Sequence, residues 1–164
     1  MRYLFGLLML FSSSLSAQSV WLATEPSAMR RSIVSSWSEC PEQRWCQDMV
    51  TYYQELLYAQ AELTPHRLEV VLIGEFTSHR LSQLQLNLRR DGFELVKVEF
   101  GQQVFDVAEA LQTMPAVEVD KALIVFINQY RQSTQRVLTW HASFGRALLH
   151  SDGELITLQF DYSQ

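Results

Sequence analysis

The sequence predicts an α+β (mixed α/β) fold: an N-terminal helical segment, then a roughly five-stranded, partly parallel sheet ending in an antiparallel hairpin. Three observations carry this. Apolar residues recur at helical spacing up to residue 63, strand-length apolar runs begin after His66, and a Ser151-Asp152-Gly153 turn divides the last β-rich stretch.

The first element is expected to be removed. Arg2 supplies a positive start, residues 4–11 an apolar run and residues 12–17 a small, polar end, which is the layout of a secretory signal peptide cut after Ala17. The run falls far short of the roughly 20 residues that span a bilayer. The product is therefore expected to be periplasmic or secreted, without stable membrane insertion. Residues 18–164 should form a single globular domain, with 18–65 as a helical layer and 66–164 as a sheet with covering helices.

Within the helical layer, Met29, Ile33 and Trp37 follow i, i+4, i+8, with Thr24 placed to cap and Pro26 suited to the first turn. Trp45, Met49, Tyr52, Tyr53, Leu56, Leu57 and Leu63 share a side of a longer helix that Thr64-Pro65 would stop, because the residue before proline avoids helical angles. The only two cysteines, Cys40 and Cys46, lie just before it. Six residues of regular helix would hold their Cα atoms about 9 Å apart, beyond the roughly 7 Å limit of a disulfide. Export favours oxidation, so Cys40-Pro41 is expected to fold back as a bridged loop with the helix starting near Arg44 or Trp45.

From His66 the pattern changes. RLEVVLIGEF reads as a strand covered on both faces. In TSHRLSQLQLNLRRDG, Leu81, Leu84 and Leu88 form a helical stripe ending at Gly92, but Leu84, Leu86 and Leu88 also alternate. A hairpin at Asp91-Gly92 would set Leu86 against Lys97 and Leu84 against Glu99, so the apolar face is lost and helix is favoured. FELVKVEF then completes a strand–helix–strand unit, expected to be parallel and right-handed. DVAEALQTM reads as a short helix, KALIVFINQY as a third strong strand, and RVLTWHASFGRALLH with GELITLQFDY as the closing hairpin.

Composition narrows the function. With 48% hydrophobic and 19% charged residues the chain is not disordered; with a net charge of −5 and no basic stripe it argues against nucleic acid. His66, His79, His141, His150 and the cysteines lack the paired spacing of a zinc site, so no metal is expected. Gly74 stands without a glycine-rich phosphate cradle, so no cofactor is expected. There is no GxSxG elbow, and HASFG (141–145) places Ser143 inside a predicted strand, on the same side as His141.

The candidate ligand site comes from strand ends, since ligands of open parallel sheets favour the crevice beyond them. Glu75, Ser78 and His79 follow the first strong strand; Asn128, Tyr130 and Arg131 follow the third. Helix capping by Thr77 or Ser78 and ordinary loop polarity explain the same residues without a ligand. The leading expectation is a non-enzymatic accessory protein of the cell envelope that binds a protein partner and assists assembly, stability or regulation of an exported apparatus. Four tryptophans, among them Trp21 just past the cleavage site, and six tyrosines fit such contacts. The alternatives are a small secreted hydrolase using His79 or His141, and a periplasmic carrier of a small apolar ligand with a cavity against the Trp45/Tyr52/Tyr53 helix.

Overall fold

The computed structural model describes residues 25–163. The expected signal peptide, Trp21 and the Thr24 cap lie outside them. In chain order the elements are α1 (Pro26–Ser36), β1 (Ser38–Cys40), a 3-10 turn (Pro41–Gln43), β2 (Arg44–Tyr52), β3 (Glu55–Thr64), β4 (Arg67–Glu75), α2 (Ser78–Arg90), β5 (Glu94–Phe100), β6 (Gln103–Asp106), α3 (Val107–Thr113), α4 (Ala116–Gln129), β7 (Arg136–Ala142), β8 (Gly145–Ser151) and β9 (Leu155–Ser163).

All nine strands form one sheet, ordered β1-β2-β3-β4-β9-β8-β7-β5-β6, and every neighbouring pair is antiparallel. This overturns the expected partly parallel, five-stranded sheet. The parallel unit was inferred from β4–α2–β5, and those strands do run in the same direction. They are not neighbours, however, because β9, β8 and β7 stand between them.

Three further expectations are corrected. The long helix over 45–63 is the β2–β3 hairpin, turning at Tyr53-Gln54. Its buried residues Tyr52, Leu57, Ala59 and Ala61 alternate at period two, and the small alanines disguise that period. KALIVFINQY is not a strand but most of α4. Residues 136–150 are two strands, β7 and β8, with Ser143 in the turn between them rather than inside a strand. Helices α1, α2 and α3 and strands β4 and β5 lie where the sequence puts them.

One face of the sheet is the core. Leu68, Val70 and Leu72 of β4, Leu149 of β8 and Leu158 and Phe160 of β9 are fully buried with Met29 and Ile33 of α1 and Leu84 and Leu88 of α2. Each such side chain contributes about 1.5–3 kcal/mol on leaving water. The alternate positions on the opposite face, such as Tyr58, Ile73, Thr157, His150 and Val137 along one register row, are only half-buried.

Helix α2 is tied down at both ends. Thr77 Oγ1 accepts from the Arg80 amide at 3.0 Å. The Arg80 Nε donates to Glu55 Oε2 at 2.8 Å and its Nη1 to the Glu75 carbonyl at 2.6 Å. That side chain passes over Gly74, where an added Cβ would lie 2.7 Å from Leu57 Cδ2 and 3.0 Å from Arg80 Nη1, so only glycine leaves the room. Beyond the other end, Asp91 Oδ2 accepts from the Tyr52 hydroxyl at 2.8 Å, and Tyr53 donates to the same carboxylate. Burial, reinforced by Asp91, holds the Tyr52 phenol well above its ordinary range and keeps it a donor.

The expected Cys40–Cys46 bridge is present, with Cα atoms 5.9 Å apart. It staples a hairpin rather than a helix start, joining β1 to β2 across a turn in which Glu42 and Gln43 both hold left-handed angles, φ 64° and 58°. The two edge strands are short, three residues in β1 and four in β6, which limits edge-to-edge pairing with other chains. No helix among the described residues is long and apolar enough to cross a membrane.

Candidate functional site

Ser78, Leu81, Ser82 and Gln85 recur at i, i+3, i+4, i+7 and so form one flank of α2. That flank is one wall of a half-open cleft of about 230 Å³. The floor is two cross-strand pairs, Val98 with Leu138 and Phe100 with Arg136, and the far wall is Ile127 of α4 with Arg131 just beyond it.

Arg136 is the unusual member. It occupies an inward strand position in the same alternation as Leu138 and Trp140, where a charge is costly unless its donors are satisfied. Its Nε donates to the Ser133 carbonyl at 3.0 Å and its Nη2 to the Arg131 carbonyl at 3.1 Å. The guanidinium carbon also sits 5.4 Å from the centre of the Phe76 ring. These contacts fix the guanidinium and shape the loop after α4, but they do not neutralise it. Among the described residues, neither Arg131 nor Arg136 forms a salt bridge.

Of the six residues picked from strand ends, Ser78 and Arg131 line this cleft. Their meeting has a different cause from the one expected. Asn128, Tyr130 and Arg131 close a helix rather than a strand, and the end of α4 lies beside the start of α2. Glu75 and His79 are exposed, and the Glu75 carbonyl serves Arg80. Asn128 is exposed on α4, and the Tyr130 hydroxyl donates to Gln103 Oε1 at 3.3 Å while its ring packs on Phe126 at 5.0 Å.

The histidine alternatives find no relay. His79 is exposed in the first turn of α2. His141, Ser143 and Asp161 line a second pocket, more open and of about 630 Å³, but no hydrogen bond links His141 to either of the others. Asp161 is committed to Arg67, accepting from Nε at 3.1 Å and Nη2 at 2.7 Å, with Arg146 at 3.5 Å. The Arg67 guanidinium holds the Asp161 carboxyl below the usual carboxylate range. The wall imagined for an apolar carrier is absent as a helix: Trp45 and Tyr52 belong to β2, and Tyr52 is fully buried, 5.9 Å from the Phe160 ring. No group of three His, Cys, Asp or Glu residues gathers to hold a metal among the described residues.

Adjoining the cleft is a surface that sequence reading missed. Helix α4 carries apolar residues on nearly every side, yet Val119 is its one fully buried residue. Phe126 anchors it, 5.6 Å from the rings of both Phe100 and Phe105. Val117 and Ile124, one i, i+7 step apart, point outward with Val125 beside them, and Leu111 of α3, Met114 at its C-cap and Val104 of β6 are exposed nearby in the chain. Ile127 belongs to both this face and the cleft. The available signal was the length of the apolar run, which suited a helix as well as a strand. No protein-family model, curated protein or solved structure matches this chain.

Proposed function

We propose that the chain is an exported accessory protein of the cell envelope that works by binding another protein through its α3–α4 face, not by catalysis. In this reading residues 1–17 are removed and 18–164 act as one periplasmic or secreted domain, helping to assemble, stabilise or regulate an exported apparatus. The observation that carries it is the outward row of Val117, Ile124 and Val125, each more than half exposed on a helix already anchored from its other side. Large apolar patches of this kind mark interaction surfaces. Burying each of the three would contribute about 1.5–3 kcal/mol, against the cost of association. An anionic membrane suits the face less well: Lys121 is the lone cation on α4, among Glu118 and Asp120, and the chain carries a net charge of −5.

A photo-reactive residue placed at Ile124 in the natively exported protein tests the reading. The expected result is a discrete covalent adduct with one envelope protein, absent when the probe sits at Gln159 on the opposite sheet face and lost with Val117→Asp. Adducts of the chain with itself alone, or equal labelling from both positions, would overturn it.

A further inference from the structure

We propose that the cleft between α2 and α4 binds a monocarboxylate bearing a short acyl chain, with the carboxylate on Arg131 and Arg136 and the chain over Leu81, Val98, Phe100 and Ile127. This goes beyond the protein-binding reading and stands independently of it. Two of the three polar side chains of the α2 wall donate to their own helix, Ser82 Oγ to the Ser78 carbonyl at 2.9 Å and Gln85 Nε2 to the Leu81 carbonyl at 3.2 Å, and the third, Ser78, carries no charge. Ionic recognition is thereby left to the guanidiniums. Arg136 is held in place by two backbone carbonyls on its Nε and Nη2, so little ordering is needed when an anion arrives, and its Nη1 side is left to meet a carboxylate. Arg131 is exposed beside it, free to turn its side chain onto the same anion.

Size selects the rest of the ligand. At about 230 Å³ the cleft lies below the range of roughly 300–1,000 Å³ typical of drug-sized ligands. At about 30 Å³ per water-sized group it holds roughly eight such groups, close to the methylene chain of a ten-carbon acid whose carboxylate stays at the open mouth beside the exposed Arg131, and not a folded peptide segment or a ring system. The charge on the floor excludes a cationic amphiphile, and the apolar wall gives no grip to a small hydrophilic acid.

The test is titration of the mature, disulfide-intact protein with decanoate, decanol and decyltrimethylammonium, all below micelle formation, followed by backbone amide shifts in NMR. Decanoate is expected to shift Leu81, Ser82, Ile127 and Arg131, with decanol weaker by roughly tenfold and the cation showing no saturable binding. Arg131→Gln, an exposed change that leaves the Arg136 contacts intact, should weaken decanoate by roughly tenfold and leave decanol unchanged. Ile127→Glu should abolish decanoate binding with an unaltered unfolding curve. Equal binding of decanoate and decanol, shifts confined to Val117 and Ile124 on the outer face of α4, or unchanged decanoate affinity in Arg131→Gln would each overturn the proposal.

Discussion

Helices α2 and α4 differ by one residue in length and rest on the same face of the sheet, yet they are built on opposite plans. Helix α2 has a side-chain cap, a narrow apolar stripe that it buries through Leu84 and Leu88, and Arg89 and Arg90 at the end where the helix dipole favours cations. Helix α4 has no side-chain cap, and its apolar residues far exceed what it buries. Of the leucines of α2, Leu84 and Leu88 are buried, Leu81 is half-buried and only Leu86 is exposed. In α4, folding leaves Val117, Ile124 and Val125 without a task, and that surplus is the reason for looking to α4 for recognition.

The largest expected effect breaks or upholds this contrast directly. Leu88→Ala should cost about 2–5 kcal/mol in urea unfolding, because it empties a fully buried site, whereas Ile124→Ser should change stability by no more than about 0.5 kcal/mol. A large loss at Ile124 would mean that the outer face of α4 serves the fold after all.

Two changes in the sheet, away from both helices, act as controls. Replacing Cys40 and Cys46 together by alanine should cost about 2 kcal/mol on the loop-entropy model for so short a ring. Faster amide exchange should be confined to β1 and the start of β2, with α2 and α4 unaffected. The smallest effect is at Asp161. Its folded carboxyl titrates below the usual range, so its contribution is in place above about pH 4 and is lost as pH falls through the lower folded value. Since the Arg67 side chain is 44% exposed, Asp161→Asn should cost under about 1 kcal/mol near neutrality. The two proteins should converge in stability as the pH is lowered toward about 2; a gap that widens on acidification would contradict the assignment.

Much of the local structure was legible because single elements carry their own signals. Thr77, the Leu84/Leu88 stripe and Asp91-Gly92 mark α2 from start to stop, with Gly92 at φ 86° as the chain leaves the helix. What sequence could not settle was partnership. The 45–63 segment satisfies both helical and alternating spacing, and only pairing with β4 decides for strands. The apolar run in α4 looks like a buried strand because nothing in the run itself says that one side faces water. For the same reason four of the six candidate residues, Glu75, His79, Asn128 and Tyr130, lie outside the cleft. Ser78 and Arg131 share the cleft through helix packing that no local pattern encodes, while Arg136 is visible in hindsight as a charge in the inward alternation with Leu138 and Trp140.

The strand order also sets a schedule. Strand β4 finds its second neighbour only in β9, whose Phe160 pairs with Val70 and whose Leu158 pairs with Leu72, and β5 joins the rest of the sheet only through β7. A chain that emerges from its amino terminus must therefore hold β4 with a bare hydrogen-bonding edge while everything from α2 to β8 is still being delivered. Contacts so distant in sequence slow folding, and the two halves of the sheet stay separate until residues 155–163 slide between β4 and β8. The C-terminal strand is the keystone: the molecule cannot close early, and a chain cut before Leu155 should remain open.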